Sequence, residues 1–232
     1  MKPITIAIIP ARSGSKRIKN KNIKNFYNKP IIYYPIKAAK ESKLFDKIIV
    51  STDSKKIGSI AKKFGAEFSF IRPKYLSGDK IGIREVILDG INWAKKNFKK
   101  PSFICCIYPT AALLTSVDLK KSFKIIRTSK LNYIFSAVKN SYPIERAFSL
   151  TPYKKRVVMM NNKNFLKRSQ DFKETYNDAG QFCWGTYEGW RKQRVIFARN
   201  SSIYLMSPLK AHDVDTYDDF EFLRKLYKLR NF

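Results

Sequence analysis

Short apolar runs alternate regularly with longer amphipathic stretches along this chain. The apolar runs are rich in β-branched residues, as is typical of strands buried on both faces. They cover residues 4–9, 47–51, 66–71, 102–107 and 133–138. Apolar residues at three- and four-residue spacing predict helices over residues 30–44, 55–64, 83–96 and 117–129. Strands separated by crossover helices pair in parallel, so the pattern predicts an α/β fold with a mainly parallel sheet.

The first predicted helix has a signal for its N-terminus and a regular apolar spacing. Pro30 stands where a helix can open, because a missing N–H costs nothing in the first turn. Ile32, Ile36 and Ala39 then fall on one side of the helix. This spacing predicts a helix that begins at Pro30 and buries one face.

The alternation breaks after residue 138. Residues 140–180 mix prolines, basic pairs and polar stretches, and strand-like sequence resumes only at 182–187. A strand at 203–206 and an amphipathic helix at 217–229 follow. We expect a single domain over residues 1–232, in which residues 140–180 form an inserted lobe or a subunit-contact arm.

The charge of the chain raises a nucleic-acid hypothesis. Lys and Arg number 47 against 18 Asp and Glu, which gives a formal net charge of +29. Basic surfaces gain affinity for nucleic acids by releasing counterions from phosphates. Here the basic residues are spread along the whole chain as pairs on the polar faces of predicted helices, so a solvated surface is favoured over a nucleic-acid footprint.

The cysteines and the N-terminal residues indicate in which cellular compartment the protein is expected. Cys105, Cys106 and Cys183 are odd in number and two are neighbours in an apolar run, which indicates reduced core thiols. The N-terminal apolar run is too short for a signal peptide or a membrane span. We therefore expect a cytoplasmic protein without a membrane partner.

The most informative motif follows the first predicted strand. Residues 10–17 read Pro-Ala-Arg-Ser-Gly-Ser-Lys-Arg. Ser13, Gly14 and Ser15 are small enough to let backbone N–H groups approach an anion, and nearby basic side chains could neutralise a triphosphate. No P-loop or dinucleotide fingerprint occurs at this turn. On spacing alone, an anion site and a solvated loop are equally supported.

The wider pattern decides between them, because it resembles a known family. Residues 9–17, together with Lys21 and Asn22, are similar to the N-terminal signature of CMP-sialic acid synthetases. Val-Ser-Thr-Asp at 50–53, Arg-Pro at 72–73, Tyr-Pro-Thr at 108–110 and Asp-Val-Asp-Thr at 213–216 continue the similarity along almost the whole chain. Residues 168–171 and 176–185 most resemble the branch that uses pseudaminic acid.

The resemblance implies an activity, partners and a cofactor. The implied fold is a Rossmann-like nucleotidyltransferase fold with an inserted dimerisation arm, and the implied reaction joins CTP to pseudaminic acid with release of pyrophosphate. It also implies a homodimer and dependence on Mg²⁺. N-acetylneuraminic and legionaminic acid remain alternative nonulosonic acid substrates. A basic nucleic-acid-binding protein remains the alternative from another class.

The resemblance also assigns roles to individual residues. The nucleotide-binding set is Arg12, Ser13, Gly14, Ser15, Lys16, Lys21, Asn22, Asp53 and Arg72. The sugar-binding set is Tyr108, Arg146, Arg168, Gln170, Gln181 and Phe182. The catalytic set is Arg12, Lys16, Asp213 and Asp215. Kdo cytidylyltransferases carry an aspartate motif where this chain has Tyr108 to Ala112, so a second metal held from that loop is not expected.

Asp213 and Asp215 are the expected metal ligands. Mg²⁺ prefers oxygen ligands and keeps several waters, so two carboxylates and phosphate oxygens suffice. In an extended segment, residues two apart point to the same side. The alternative is that Asp215 or Thr216 caps the helix from Tyr217. His212, the only histidine, is interpreted as a structural hydrogen-bonding group outside the site.

Overall fold

The computed structural model of this chain describes residues 3–67 and 71–229. The strands are β1 (Thr5–Pro10), β2 (Asn25–Phe26), β3 (Lys29–Pro30), β4 (Lys47–Ser51), β5 (Phe103–Ile107), β6 (Tyr133–Lys139), β7 (Phe148–Leu150), β8 (Val157–Met159), β9 (Tyr176–Thr186) and β10 (Ser201–Leu205). The helices are α1 (Tyr33–Ser42), α2 (Lys55–Lys63), α3 (Ile83–Asn97), α4 (Ser116–Thr128), α5 (Tyr187–Lys192) and α6 (Tyr217–Leu229).

Six strands form the central sheet, in the order β10-β6-β9-β5-β1-β4. β1 pairs in parallel with β4 and β5, and β10 pairs in parallel with β6. β9 runs antiparallel to both of its neighbours, β5 and β6. The predicted α/β class with a mainly parallel sheet is therefore confirmed.

The two faces of β1 explain why its sequence is apolar throughout. Ala7 and Ile9 pack into a cluster with residues of α1, α2 and α4. Ile6 and Ile8 point the other way and pack with residues of α3 and α5. Successive side chains of a strand alternate between faces, so a sheet covered by helices on both sides needs apolar residues at every position.

The prediction that Pro30 opens a helix is wrong. Lys29–Pro30 pairs with Asn25–Phe26 as a small hairpin, and the chain reverses through positive φ angles at Tyr27 and Asn28. The next amides are also engaged elsewhere, since Ile31 donates its N–H to the carbonyl of Lys24. The helix consequently begins at Tyr33.

The other predicted elements differ mainly at their ends. The strand expected at 66–71 includes residues 68–70, which lie outside the described residues. On either side, Glu67 bridges to Ile49 and Ile71 bridges to Thr52, both in parallel. The strand expected at 203–206 occupies 201–205, while the helix at 217–229 is confirmed with the predicted bounds.

The strand expected at 182–187 begins earlier, at Tyr176, and ends at Thr186. Its first three residues are exposed and polar or aromatic, so they lack the apolar signal of a buried strand. A bulge then interrupts its pairing with β6 near Ser136. The Ser136 hydroxyl accepts hydrogen bonds from the amides of Gln181 and Phe182, at 3.1 and 3.2 Å. Such bulges change the direction of a strand, and this one turns β9 towards the loop before α6.

The segment between β6 and β9 has little regular structure. It contains the hairpin β7–β8 and three short 3₁₀ turns. It exposes many large apolar side chains, namely Tyr142, Ile144, Phe148, Leu150, Tyr153, Val157, Val158, Met160, Phe165 and Leu166. An accumulation of exposed large apolar side chains in one segment is typical of an interaction site.

Candidate active site

A cleft of about 580 Å³ opens where β1 and β5 end. Ligands of open α/β sheets bind beyond the carboxyl ends of the strands, and this volume is within the range of small-molecule pockets. The residues that line it are Pro10, Arg12, Ser15, Lys16, Arg17, Ile18, Lys21, Asn22, Arg72, Leu76, Gly78, Asp79, Ile81, Ile83, Val86, Tyr108, Pro109, Thr110, Asp213 and Asp215. Sequence motifs far apart in the chain thus meet in one place.

The loop after β1 is held from behind by two side chains. Asp53 accepts hydrogen bonds from the backbone amide of Ser13 at 2.7 Å and from its hydroxyl at 3.0 Å. The buried amide of Asn22 donates to the carbonyl oxygen of Arg12 at 2.8 Å. These contacts hold Arg12 in place beside the cleft. Asp53 does not line the cleft. Instead, it stabilises the loop after β1 through its contacts with Ser13.

Arg72 is buried at the cleft wall. Its guanidinium donates to the Ser51 carbonyl oxygen at 2.5 Å, to the Ser51 hydroxyl at 3.2 Å and to the Leu76 carbonyl oxygen at 3.4 Å. Burial lowers the pKa of Arg72, while the charges of Asp53 and Asp89 act in the opposite direction. Arg72 therefore joins the end of β4 to the turn at 74–76 and keeps a cation against the cleft.

Four cations of the N-terminal loop meet two carboxylates across the cleft. Arg12 and Lys16 each lie 2.5 Å from a different oxygen of Asp79. Hydrogen bonds from Lys16 and then Arg12 lower the pKa of Asp79. On the other side, Arg17 lies 2.8 Å and Lys21 3.7 Å from Asp215. The cleft is thus rich in positive charge that is partly neutralised by its own acidic residues.

The segment before α6 presents two aspartates to the cleft. Val214 is fully buried between them, and both Asp213 and Asp215 line the cleft. The cap of α6 is formed by Thr216, whose hydroxyl accepts from the amide of Asp219 at 3.2 Å. Asp219 in turn accepts from the Thr216 amide at 2.7 Å. Because Thr216 and Asp219 complete a capping box, neither cleft aspartate serves as the cap.

Strand β9 supports this acidic segment from below. Gly180 has a φ of +60°, and a Cβ at this position would lie 3.2 Å from the carboxyl carbon of Asp213. Gln181 is buried and donates from its amide to the carbonyls of Ala179 and His212, at 2.8 and 3.3 Å. The bulge in β9 thereby fixes the position of Asp213.

Few of the predicted sugar-binding residues reach the cleft. Tyr108 lines it, and burial raises the pKa of its hydroxyl. Gln181 lies behind the acidic segment, and Phe182 is a core residue 5.9 Å from the ring of Tyr204. The remaining three are exposed in the segment between β6 and β9 and do not line the cleft; they are Arg146, Arg168 and Gln170.

Two cleft residues with charged contacts are missing from the predicted set. Arg17 belongs to the N-terminal motif and contacts Asp215, from which 198 positions separate it. Asp79 follows the Arg72-Pro73 pair by a few residues. The only sequence signal for a role of Asp79 in the cleft is its position between a recognised motif and a predicted helix. His212 lies 3.5 Å from Asp219 and packs edge-on against Phe222, which agrees with a structural role outside the cleft.

Two solved structures share this architecture. The structure of CMP:2-keto-3-deoxy-manno-octonic acid synthetase complexed with CTP superposes with a TM-score of 0.70 at 13% identity, over 98% of this chain and 99% of that one. A 4-diphosphocytidyl-2C-methyl-D-erythritol synthase from Anaerococcus prevotii gives 0.63 at 12% identity, over 97% and 99%. These similarities confirm the Rossmann-like nucleotidyltransferase fold.

Sequence comparison identifies the family. A pseudaminic acid cytidylyltransferase of Campylobacter jejuni is 37% identical over 97% of both chains. A CMP-N,N'-diacetyllegionaminic acid synthase of the same species is 30% identical over 97% of this chain and 96% of that one. An N-acylneuraminate cytidylyltransferase of Escherichia coli is 28% identical over this whole chain and 54% of its own. The family model described as cytidylyltransferase matches residues 6–232, and the chain therefore belongs to the cytidylyltransferase family.

Proposed function

We propose that this cytidylyltransferase joins CTP to pseudaminic acid, giving CMP-pseudaminic acid and pyrophosphate. The observation that carries the choice of sugar is the 37% identity to a pseudaminic acid cytidylyltransferase over 97% of both chains. The relatives named for legionaminic and acylneuraminic acids reach 30% and 28%.

In this proposal the N-terminal loop binds the triphosphate. Amides of the loop and the side chains of Arg12, Lys16 and Lys21 face the phosphates, with Asn22 holding the Arg12 carbonyl. The anomeric C2 hydroxyl oxygen of the sugar attacks the α-phosphorus in line. The bond from the α-phosphorus to the oxygen that bridges it to the β-phosphorus breaks, pyrophosphate leaves, and the hydroxyl proton is released to water. Fixed cations that match the charge building on pyrophosphate lower the barrier without rearranging during the step.

Asp213 and Asp215 are the residues that would hold Mg²⁺. No group of three or more His, Cys, Asp or Glu side chains within residues 3–67 and 71–229 is arranged to hold a metal. Mg²⁺ is commonly bound by one or two carboxylates together with substrate phosphates, so a pair of aspartates is sufficient. When bound, the ion supplies Lewis-acid charge to the phosphate oxygens. Val214 and Gly180 place the two carboxylates, and Arg17 and Lys21 balance Asp215.

We propose that the chain forms a single domain and that residues 140–180 are the arm through which two copies form a homodimer. Arg146, Arg168 and Gln170 are exposed and do not line the cleft of their own chain. In a dimer, these residues would contact the sugar in the partner's cleft, where arginines suit its carboxylate. The exposed apolar side chains of the same segment support an interface between subunits.

Charge and location fit small anionic substrates. CTP and a nonulosonic acid are both anions, and a basic cleft raises their local concentration. No helix within residues 3–67 and 71–229 has the length and apolar character to span a bilayer. Because CTP is a cytoplasmic metabolite, the proposal places the protein in the cytoplasm. Nucleic acid is not required as a partner.

The test of this function is identification of the product. The purified protein is incubated with pseudaminic acid, Mg²⁺ and CTP, and parallel reactions contain ATP, GTP or UTP. Formation of the CMP-sugar is followed by mass spectrometry and pyrophosphate by a coupled assay. The proposal predicts both products with CTP alone and their loss with EDTA. Pyrophosphate without a CMP-sugar, or equal rates with all nucleotides, would contradict it.

A further inference from the structure

Asp79 occupies an unusual position within the cleft. Its two carboxylate oxygens contact two different cations, Arg12 Nη1 and Lys16 Nζ, each at 2.5 Å. The three residues come from two segments that lie more than sixty positions apart. Within the described residues, neither the Asp79 carboxylate nor the Lys16 ammonium has another hydrogen-bond or ion-pair partner. The interaction is therefore a closed arrangement of one anion and two cations.

The two cations are those proposed to bind the triphosphate. Arg12 and Lys16 both line the cleft, and Asp79 lines it as well. The two carboxylate oxygens of Asp79 accept hydrogen bonds from Arg12 and Lys16, as two phosphate oxygens would. Asp79 and a triphosphate thus compete for the same side chains.

The three side chains are exposed enough for a ligand to displace Asp79 from the two cations. The Asp79 side chain is 42% exposed, Arg12 34% and Lys16 80%. Ion pairs at such positions are weak and readily exchange partners. A triphosphate carries about four negative charges against one on Asp79, so it displaces the carboxylate when it binds. No core residue has to move for the pair to separate.

We propose that Asp79 is a positioning residue that takes the place of the triphosphate on Arg12 and Lys16 and thereby sets the affinity of the cleft for polyphosphates. In the free protein, Asp79 neutralises part of the positive charge of Arg12 and Lys16, and its release is part of the cost of binding. This inference rests on the proposed function for the identity of the ligand, but its physical content concerns polyphosphate chemistry alone.

The test uses inorganic tripolyphosphate, so that its result does not depend on cytidine, sugar or turnover. Its dissociation constant is measured by calorimetry at low salt for the parent protein, Asp79→Asn, Lys16→Ala and the double variant. Glu188→Gln is the matched control, because it also removes one negative charge and one exposed ion pair, that with Lys192 on α5. Asp79→Ser provides a second substitution if Asp79→Asn does not fold.

The expected result is a two- to tenfold lower dissociation constant for Asp79→Asn, with no change for Glu188→Gln. In the Lys16→Ala background the gain should shrink, because one of the competed cations is gone and contacting residues are not additive. An unchanged or weaker affinity in Asp79→Asn would overturn the inference. An equal gain with and without Lys16 would also overturn it, since this would reflect the general field of the cleft. If the protein instead binds tripolyphosphate as predicted but makes no CMP-sugar, the proposed function fails while the role of Asp79 stands.

Discussion

Asp53 accepts two hydrogen bonds from Ser13, one from the backbone amide at 2.7 Å and one from the hydroxyl at 3.0 Å. This contact joins the end of β4 to the loop after β1, across 40 positions of sequence. The carboxylate that the family resemblance assigns to the nucleotide therefore stabilises the loop that is proposed to bind the phosphates.

We predict that Asp53→Ala weakens CTP binding by roughly tenfold, because the loop loses two solvent-exposed hydrogen bonds that contribute about 0.5–1.5 kcal/mol each. Ser13→Ala removes only the hydroxyl bond and should have a smaller effect. The measurement is the dissociation constant of CTP by calorimetry. Unchanged affinity in Asp53→Ala would show that the loop holds its shape without this contact.

Asp215→Ala is expected to abolish turnover while the protein remains folded. The side chain lies in the cleft beside Arg17 and Lys21, and its loss removes a proposed Mg²⁺ ligand. Asp218→Asn is the matched control, because Asp218 is exposed in the first turn of α6 and does not line the cleft. Pyrophosphate release and circular dichroism are measured for both. Near-normal turnover in folded Asp215→Ala would refute the metal role.

Gly180→Ala tests the support that β9 gives to Asp213. A methyl group here would lie 3.2 Å from the Asp213 carboxyl carbon, and φ of +60° is unfavourable for alanine by about 1–2 kcal/mol. We expect a lower melting temperature together with reduced Mg²⁺-dependent activity. Gly14→Ala serves as the stability control, since no atom lies within 4 Å of a Cβ placed there. Equal melting temperatures for the two variants would contradict the proposed strain.

The exposed apolar side chains at 140–180 predict an assembly that depends on them. Tyr153→Asp combined with Leu166→Asp should convert a dimer to a monomer, because both side chains are at least 90% exposed in the single chain and would be buried between subunits. Tyr75→Asp, at an exposed position outside this segment, is the control. Sedimentation equilibrium gives the mass of each. If the parent protein is already monomeric, the homodimer proposal fails.

Much of the fold follows from local sequence signals. β4 and α6 have the predicted bounds because their apolar patterns end at clear polar residues. α1 begins three residues later than predicted, because the amides of Ile31 and Ile32 donate to the carbonyls of Lys24 and Asn22, before the hairpin. No local sequence signal specifies these bonds. The first residues of β9 lack an apolar signal because they are exposed. α5 has only six residues after its cap at Thr186, too few to show a helical apolar pattern.

The candidate site was predicted in part. The N-terminal motif and the Asp213–Asp215 pair meet in one cleft, as the resemblance implies. The ion pairs of Asp79 and Arg17 depend on contacts between distant segments, which no spacing rule specifies. Phe182 resembles a sugar-binding position in sequence, yet its side chain packs in the core, because β9 is buried on both faces at this point.

The choice of sugar substrate is tested by comparing three nonulosonic acids in one assay. Pyrophosphate release is measured with CTP and Mg²⁺ for pseudaminic, N-acetylneuraminic and legionaminic acid, and kcat/KM is determined for each. We expect metal-dependent release of pyrophosphate, with the highest kcat/KM for pseudaminic acid. A higher value for another sugar would contradict the assignment of the substrate, and no release with any of the three would contradict the proposed reaction itself.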